Sequence, residues 1–110
     1  MSWIRIISTK VAKPLTSNSY MEYNCFVTYV NKLTNAAKSK PGFIESDSHW
    51  KGENYDTIVS ISTWSSKESW KNWLNSTKRE DIYNKHKQVI KSEKHELLRK
   101  RKKSNNIFLL

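Results

Sequence analysis

Three tryptophans and a histidine are the residues of this sequence whose types and spacing best fit a binding site. Trp64 ends the most strand-like segment of the chain, and Trp70 and Trp73 are three residues apart on the helix predicted to follow it. His86 lies on the next predicted helix. Indole rings can line a pocket for a flat aromatic ligand, and an imidazole there can donate, accept or ligate a metal. The same side chains can instead pack in the hydrophobic core, so residue types leave both interpretations open.

Other kinds of catalytic and metal site find little support in the sequence. Two glycines are too few for a phosphate-binding glycine loop or a nucleophile elbow. His95–Arg99 begins like the zinc motif HExxH but has arginine where the second histidine is needed, and one cysteine with three histidines forms no Cys/His cluster. We therefore expect no metal site. Cys25, which is followed by two apolar residues on a predicted helix, is expected to pack rather than to act as a nucleophile.

The segments that must position these residues alternate between strand and helix patterns. The patterns predict a strand over 2–9, a helix over 19–38, strands over 43–50 and 55–64, and helices that begin near 65 and 77. Residues 95–100 fit either a closing strand or an extension of the last helix. Ser19, Ser65 and Thr77 each precede a glutamate by three residues, and this spacing predicts three N-terminal capping boxes.

This order of elements, β-α-β-β-α-β, predicts an α+β fold of the ferredoxin-like type, with an antiparallel sheet and helices on one face. Alternation in the third strand places Ile58 and Trp64 on one face and Val59 and Ile61 on the other. Both faces thus carry apolar groups, and so short a chain has no further element to cover the second face. We therefore expect a homodimer.

Composition fits one folded domain with a basic end. Aromatic residues make up 12% of the 110 residues, which argues against disorder, and we expect a single domain over 1–103 and a tail over 104–110. The net charge is +10, and residues 78–103 hold 11 basic and 4 acidic groups, a net of +7. This segment can bind nucleic acid, or it can be a solvated surface. The single cysteine and the lack of an apolar stretch of about 18 residues favour a cytoplasmic protein without a membrane span.

The stretch Pro41–Ile44, followed by Ile58–Trp70, resembles the antibiotic biosynthesis monooxygenase (ABM) family. In that family "PGF" begins the second strand, and a strand that ends in tryptophan runs into S-x-E-x-W/A at the next helix. Element order extends the resemblance over about residues 2–100, and its specific part spans 41–76. The resemblance implies a dimeric α/β barrel, in which two ferredoxin-like domains face their sheets together.

One branch of that family oxidises quinols or anthrones with molecular oxygen and without metal or flavin. The resemblance implies that the pocket favours the enolate or phenolate of the substrate, which then reacts with oxygen. The implied catalytic residues are Trp73, as a wall, and His86, which orients or deprotonates the substrate. The implied substrate-binding residues are Trp64, Trp70, Phe26, Asn72 and Tyr83.

Two alternatives remain open. Haem-degrading members use a tryptophan similar to Trp73, an axial histidine for which His86 is the candidate, although it lies about one turn late, and an asparagine on the first strand, where this chain offers Ser8. The other alternative is a non-enzymatic basic dimer that binds a small ligand, or binds nucleic acid through residues 78–103.

Overall fold

The computed structural model describes residues 3–14, 19–53 and 55–98, the side chains of residues 19 and 20 excepted. These residues form strand β1 (Ile4–Ala12), helix α1 (Ser19–Ala37), strands β2 (Phe43–Trp50) and β3 (Thr57–Trp64), helices α2 (Lys67–Leu74) and α3 (Thr77–His86), a single 3-10 turn (Lys87–Val89), and strand β4 (Ile90–Leu98). None of the helices in the described residues is long and apolar enough to cross a membrane.

The four strands form one antiparallel sheet in the order β2-β3-β1-β4. The first and third strands of the chain are therefore the central pair, and the helical segments connect strands that are not neighbours. This is the ferredoxin-like α+β arrangement that the element order predicted. Of residues 95–100, whose pattern fitted either a strand or a helix, residues 95–98 belong to the edge strand β4, and residues 99 and 100 lie outside the described part of the chain.

Residues alternate between a face covered by the helices and an open face. On β1 the covered face carries Ile6, Ser8 and Lys10, all buried, and the neighbouring β3 contributes Ile58 and Trp64. The alternation predicted for β3 is confirmed. Strands β1 and β3 are the two central strands of the sheet, and the helices cover one of its faces. Side chains on that face of β1 are therefore buried even where they are polar, as Ser8 and Lys10 are.

Gly42 fixes the turn between α1 and β2. Its φ of +87° lies in the left-handed region that favours glycine, and a Cβ at this position would overlap the side chain of Ser69. The Gly42 carbonyl accepts a hydrogen bond of 2.7 Å from the Ser65 amide. The turn is thus joined to the end of β3 just before α2 begins, which places α2 over the end of the sheet.

Helices α2 and α3 begin one residue away from the predicted caps. The hydroxyl of Ser66, not Ser65, accepts the hydrogen bond of the Ser69 amide at 3.0 Å, and Ser76, not Thr77, accepts that of the Arg79 amide at 3.2 Å. The prediction was wrong at Ser65 because its amide is still bonded to the Gly42 carbonyl. At the second helix Thr77 is already helical.

Candidate active site

A cavity lies between the covered face of the sheet and helices α1 and α2, and every helix and strand contributes to its wall. We call it the tryptophan cavity. Its volume is about 50 Å³, enough for a few water molecules. Its lining consists of three tryptophans, several aliphatic side chains of α1, and polar groups of the sheet and α3. The lining includes Ser8, Lys10, Ser60, Ser62, Trp64, Trp70, Trp73, Leu74, Arg79 and His95.

The aromatic wall comes from the end of β3 and from α2. Trp70 and Trp73 are three residues apart and therefore share one face of α2, while Trp64 is 1% exposed at the strand end. The Trp64 indole nitrogen donates to the Ser62 hydroxyl at 3.0 Å, which holds the ring in one orientation. Trp70 presents its edge to the His95 imidazole, with 6.1 Å between ring centroids. The aromatic wall thus meets the polar part of the cavity at His95.

The polar floor is a row of side chains across the sheet. Strand register places Ser60 of β3, Ser8 of β1 and His95 of β4 side by side, and Ser48 of β2 extends the row. The hydroxyls of Ser48 and Ser60 are 2.7 Å apart, and the Ser8 hydroxyl is 2.8 Å from Nδ1 of His95. Of these side chains, Ser8, Ser60 and His95 line the cavity and can hydrogen-bond a bound oxygen atom there.

Four ionisable side chains extend this floor: Lys10, Arg79, Glu93 and His95, here called the ionic cluster. Glu93 is at its centre. Its Oε2 accepts from Nη2 of Arg79 at 2.6 Å and is 3.6 Å from Nζ of Lys10. Its Oε1 accepts from the Tyr29 hydroxyl at 3.1 Å. Lys10 and Glu93 are register partners on β1 and β4, so strand pairing itself sets their contact.

Burial and neighbouring charges set the ionisation of the cluster. Burial raises the pKa of Glu93, but Lys10, Arg79, His95 and the Tyr29 hydrogen bond together hold it below its ordinary value of 4.5. Burial lowers the pKa of Lys10 from 10.5, and Arg79 adds to this, while Glu93 opposes it. Burial and Glu93 both raise the pKa of Tyr29. At neutral pH the carboxylate is therefore charged and Tyr29 is neutral.

His95 is held in one neutral form. Burial lowers its pKa to about 4, against the opposing effect of Glu93, so the ring is uncharged at neutral pH. Nη2 of Arg79 lies 3.3 Å from Nε2 of His95, and because a guanidinium can only donate, Nε2 must accept. The ring proton is then on Nδ1 and is donated to the Ser8 oxygen. The Ser8 proton remains free to be donated into the cavity.

The structure brings some of the sequence-predicted site residues together. Trp64, Trp70 and Trp73 line the same cavity. Phe26, Asn72, Tyr83 and His86 do not line it. The cavity's polar groups are instead those of the serine row and the ionic cluster.

Phe26 is 1% exposed in the core, where its ring lies 6.2 Å from that of Trp50. Asn72 is on the exposed side of α2. Tyr83 of α3 packs edge-on against Tyr29, with 6.3 Å between centroids. None of the three lines the tryptophan cavity, so none is in position to contact a ligand there.

His86 is buried at the end of α3. Its Nδ1 donates to the Ile82 carbonyl at 2.7 Å, and its ring lies 5.6 Å from that of Tyr29. It lines a separate cleft of about 390 Å³ between α1 and α3, together with Lys78 and Lys85. Because Trp73 and His86 do not face one cavity, the residues present do not fit the haem site of the alternative hypothesis. Among the described residues, no three His, Cys, Asp or Glu side chains are grouped to hold a metal ion.

The sequence reasoning missed Lys10, Arg79, Glu93 and His95 as site residues. Continuing the alternation of β1 past residue 9 would have placed Lys10 on the covered face, and alternation in β4 places Glu93 and His95 on one face. Arg79 gave no signal, since a charged residue at the start of a helix is usually exposed. The basic run Arg99–Lys103 and the tail 104–110 lie outside the described residues.

The chain matches one protein family in sequence and several solved structures in fold. The family model described as antibiotic biosynthesis monooxygenase matches residues 25–85. A search of curated proteins gives no match. Among solved structures, SnoaB, a cofactor-independent oxygenase from Streptomyces nogalater, is similar with a TM-score of 0.75 at 10% identity, over 94% of this chain and 98% of that one.

Two further structures show the same fold. PA3566 from Pseudomonas aeruginosa has a TM-score of 0.75 at 13% identity, over 93% of this chain and 97% of its own. A conserved protein from Methanosarcina mazei has a TM-score of 0.71 at 18% identity, over 92% and 95% of the two chains. At such identities these likenesses concern the fold. The family model, by contrast, matches the sequence over more than half of its length, and the chain therefore belongs to the antibiotic biosynthesis monooxygenase family.

Proposed function

We propose that this protein is a monooxygenase that oxidises a planar phenolic compound, of the quinol or anthrone type, with molecular oxygen and without a cofactor. Family membership supports the reaction class, and the similar fold of SnoaB, described as a cofactor-independent oxygenase, is compatible with the absence of a cofactor. The observation that carries the proposal is one cavity with three indole rings on one side and a buried ionic cluster on the other.

The cluster favours an ionised oxygen on the ligand. Lys10 and Arg79 face one carboxylate, Glu93, and a charge buried in a low-dielectric site interacts more strongly than one in water. An oxyanion in the cavity would meet the free proton of Ser8 and the two cations, which is the arrangement that stabilises developing negative charge in enzymes. A phenol held in its ionised form has an electron-rich ring, and such a ring can react with oxygen directly.

Ligand entry requires the cavity to widen. An apolar cavity that holds benzene has a volume of about 150 Å³, three times that of the tryptophan cavity at about 50 Å³. Trp70 and Leu74, both half-buried on α2, are part of the cavity wall. We propose that α2 moves away from the sheet when the substrate enters, while Trp73 stacks against its ring. In this arrangement His95 and Ser8 supply the polar contacts expected of His86.

A second copy of the chain is the proposed partner. The open face of the sheet carries Ile7, Val59 and Ile61, all half-buried in a single copy, so their burial against another sheet would be favourable. A homodimer would leave the tryptophan cavity on the other side of the sheet. Light scattering on wild type and on the variant Ile61→Lys tests it: we expect a dimer and a monomer, respectively, and a monomeric wild type at micromolar concentration contradicts the assignment.

An oxygen electrode tests the proposed reaction. Chelator-treated protein is mixed with dithranol or naphthohydroquinone, oxygen uptake is recorded, and the product from oxygen-18 gas is weighed by mass spectrometry. We expect uptake above the spontaneous rate and one labelled oxygen in the product. Trp73→Ala should lose most of this rate and Trp3→Ala, a change on an exposed residue, none. If neither compound is oxidised faster than without protein, the proposed function is wrong.

A further inference from the structure

The proposed reaction needs a group that removes a proton from the substrate. Of the described residues that line the tryptophan cavity, three side chains have nitrogen atoms that ionise: Lys10, Arg79 and His95. The guanidinium of Arg79 stays protonated in proteins, so it cannot act as a base. The choice is therefore between His95 and Lys10.

His95 has no nitrogen available as a base. Its Nε2 lone pair accepts from Arg79 at 3.3 Å, and its Nδ1 proton is donated to the Ser8 oxygen at 2.8 Å. To accept a proton at Nε2, the ring would become a cation in contact with the Arg79 guanidinium, and burial already disfavours that charge. The same contacts explain what His95 does instead: it fixes the orientation of the Ser8 hydroxyl.

Lys10 is held more loosely. Its Nζ is 3.6 Å from Oε2 of Glu93, an oxygen that already accepts from Arg79 at 2.6 Å. Its side chain is 7% exposed, on the buried face of the central strand β1 and on the wall of the cavity. Burial and the charge of Arg79 both lower its pKa, which raises the fraction of neutral amine, while Glu93 limits that effect. A lysine desolvated in this way is a known kind of catalytic base.

We propose that Lys10 is the base of this site: its neutral amine takes the acidic proton of the substrate. The proposal rests on the proposed function. In a quinol the O–H bond breaks and its electron pair stays on oxygen. In an anthrone the bond that breaks is the C–H bond of the carbon conjugated with the carbonyl, and its electron pair is delocalised onto the carbonyl oxygen. In both cases the Nζ lone pair forms the new N–H bond. The ammonium then lies beside the oxyanion it has created, and the Ser8 hydroxyl donates to the same oxygen. Glu93, in contact with both Lys10 and Tyr29, is a positioning residue that sets how readily Lys10 takes up the proton.

Proton uptake on ligand binding tests the assignment without any turnover. Para-nitrophenol is used above its own pKa, so that it binds already ionised, and calorimetry in buffers of different ionisation enthalpy gives the protons taken up. For wild type we expect a fraction of one proton that rises as the pH is increased towards the pKa of Lys10, which burial places below 10.5, because more Lys10 is then neutral before binding. Lys10→Arg should bind the phenolate with no uptake, since its guanidinium is already charged.

Two further variants make the test specific. Glu93→Gln removes the charge that raises the pKa of Lys10, so uptake should begin at a lower pH than in wild type. Lys13→Met, an exposed lysine three residues away, should behave as wild type. A general loss of folding cannot produce both the loss of proton uptake in Lys10→Arg and the onset of uptake at a lower pH in Glu93→Gln. Equal uptake in Lys10→Arg and wild type, uptake of zero in wild type at every pH, or failure of wild type to bind the phenolate would each overturn the proposal.

Turnover separates this proposal from the proposed function. Lys10→Arg should oxidise dithranol slower than wild type by about a hundredfold or more, the usual contribution of a positioned base. Unchanged turnover in this variant removes Lys10 as the base and leaves the oxygenase intact. Proton uptake without oxidation by any of the proteins removes the oxygenase and leaves Lys10 as a proton acceptor for a bound acid.

Discussion

Replacement of Glu93 by glutamine is the sharpest test of the ionic cluster. The Glu93 side chain is 11% exposed and is the carboxylate that faces both Arg79 and Lys10. Glutamine keeps the size of the side chain and an oxygen that can accept from Tyr29, so the change removes the charge alone. Loss of one partner of a buried ion pair costs about 3–5 kcal/mol. We expect the lower end of this range at neutral pH, since Lys10 can release its proton when the carboxylate is absent.

The matched control lies three residues away on the same strand. Glu96 is also paired with a lysine, Lys94, at 3.7 Å, but its side chain is 55% exposed. Exposed ion pairs contribute about 0–1 kcal/mol, so Glu96→Gln should leave the free energy of unfolding almost unchanged. Urea unfolding at neutral pH measures both. If Glu93→Gln is no more destabilising than Glu96→Gln, the description of Glu93 as a buried counter-ion is refuted.

The pH dependence of the same comparison gives an independent check. The pKa of Glu93 in the folded protein is below the ordinary value of 4.5. Its stabilisation is therefore fully present above that value and is lost as the pH falls through the lower, folded-state pKa. The difference in unfolding free energy between wild type and Glu93→Gln should close in acid, as the pH falls through the folded-state pKa of Glu93. A difference that is independent of pH would mean that the lost interaction was not ionic.

Three further predictions concern other parts of the molecule. The His95 imidazole should titrate by NMR with a pKa of about 4. Because this pKa is below that of histidine in the unfolded chain, His95 should reduce the stability of the protein as the pH falls from 6.5 to about 4. A measured pKa near 6.5 would contradict its burial among cations. Ser66→Ala should destabilise the protein by about 1 kcal/mol in urea unfolding and Ser65→Ala by less, because only Ser66 caps α2; the reverse order would favour the cap predicted from sequence. Trp64→Ala should cost about 3–5 kcal/mol and Trp3→Ala, at 64% exposure, under about 0.5 kcal/mol, and similar losses at the two sites would mean that Trp64 is not a core residue.

The fold was predictable where apolar side chains mark the period of an element. Strand β3 alternates Ile58 and Trp64 against Val59 and Ile61, and its faces were correctly assigned. The last strand was left open between a strand and a helix extension, and its start at Ile90 was missed, because the covered face of β4 carries Glu93 and His95, which hide the alternation from any pattern based on hydropathy. The cap of α2 lies one residue after the predicted one because the Ser65 amide is bonded to the carbonyl of Gly42, which is distant in sequence.

The site was predictable only in its aromatic part. Their spacing of three residues predicts that Trp70 and Trp73 share one face of a helix. In the structure this face is turned towards the sheet, since Trp73 is buried there. The ionic cluster joins β1, α3 and β4, and no spacing within one segment shows that Lys10 lies opposite Glu93. His86 lies on a helix, as predicted, but which cavity its side chain meets depends on the packing of α1, where the ring of Tyr29 lies 5.6 Å from that of His86.

The ionic cluster is difficult to explain as a device for stability. Replacement of a buried ion pair by apolar side chains of similar volume is often neutral or stabilises a protein by about 1–4 kcal/mol. A domain of this size has only a small core, in which each buried polar group takes the place of an apolar one. Yet Lys10 and Glu93 occupy the covered face of the sheet, where aliphatic residues would pack, and Arg79 reaches Glu93 from helix α3. No buried polar side-chain atom among the described residues lacks a hydrogen-bond partner, so the buried polar atoms of the cluster are fully paired. Three members of the cluster, Lys10, Arg79 and His95, line the same cavity as the three tryptophans, and this position supports the proposal that the cluster serves to bind an anionic ligand.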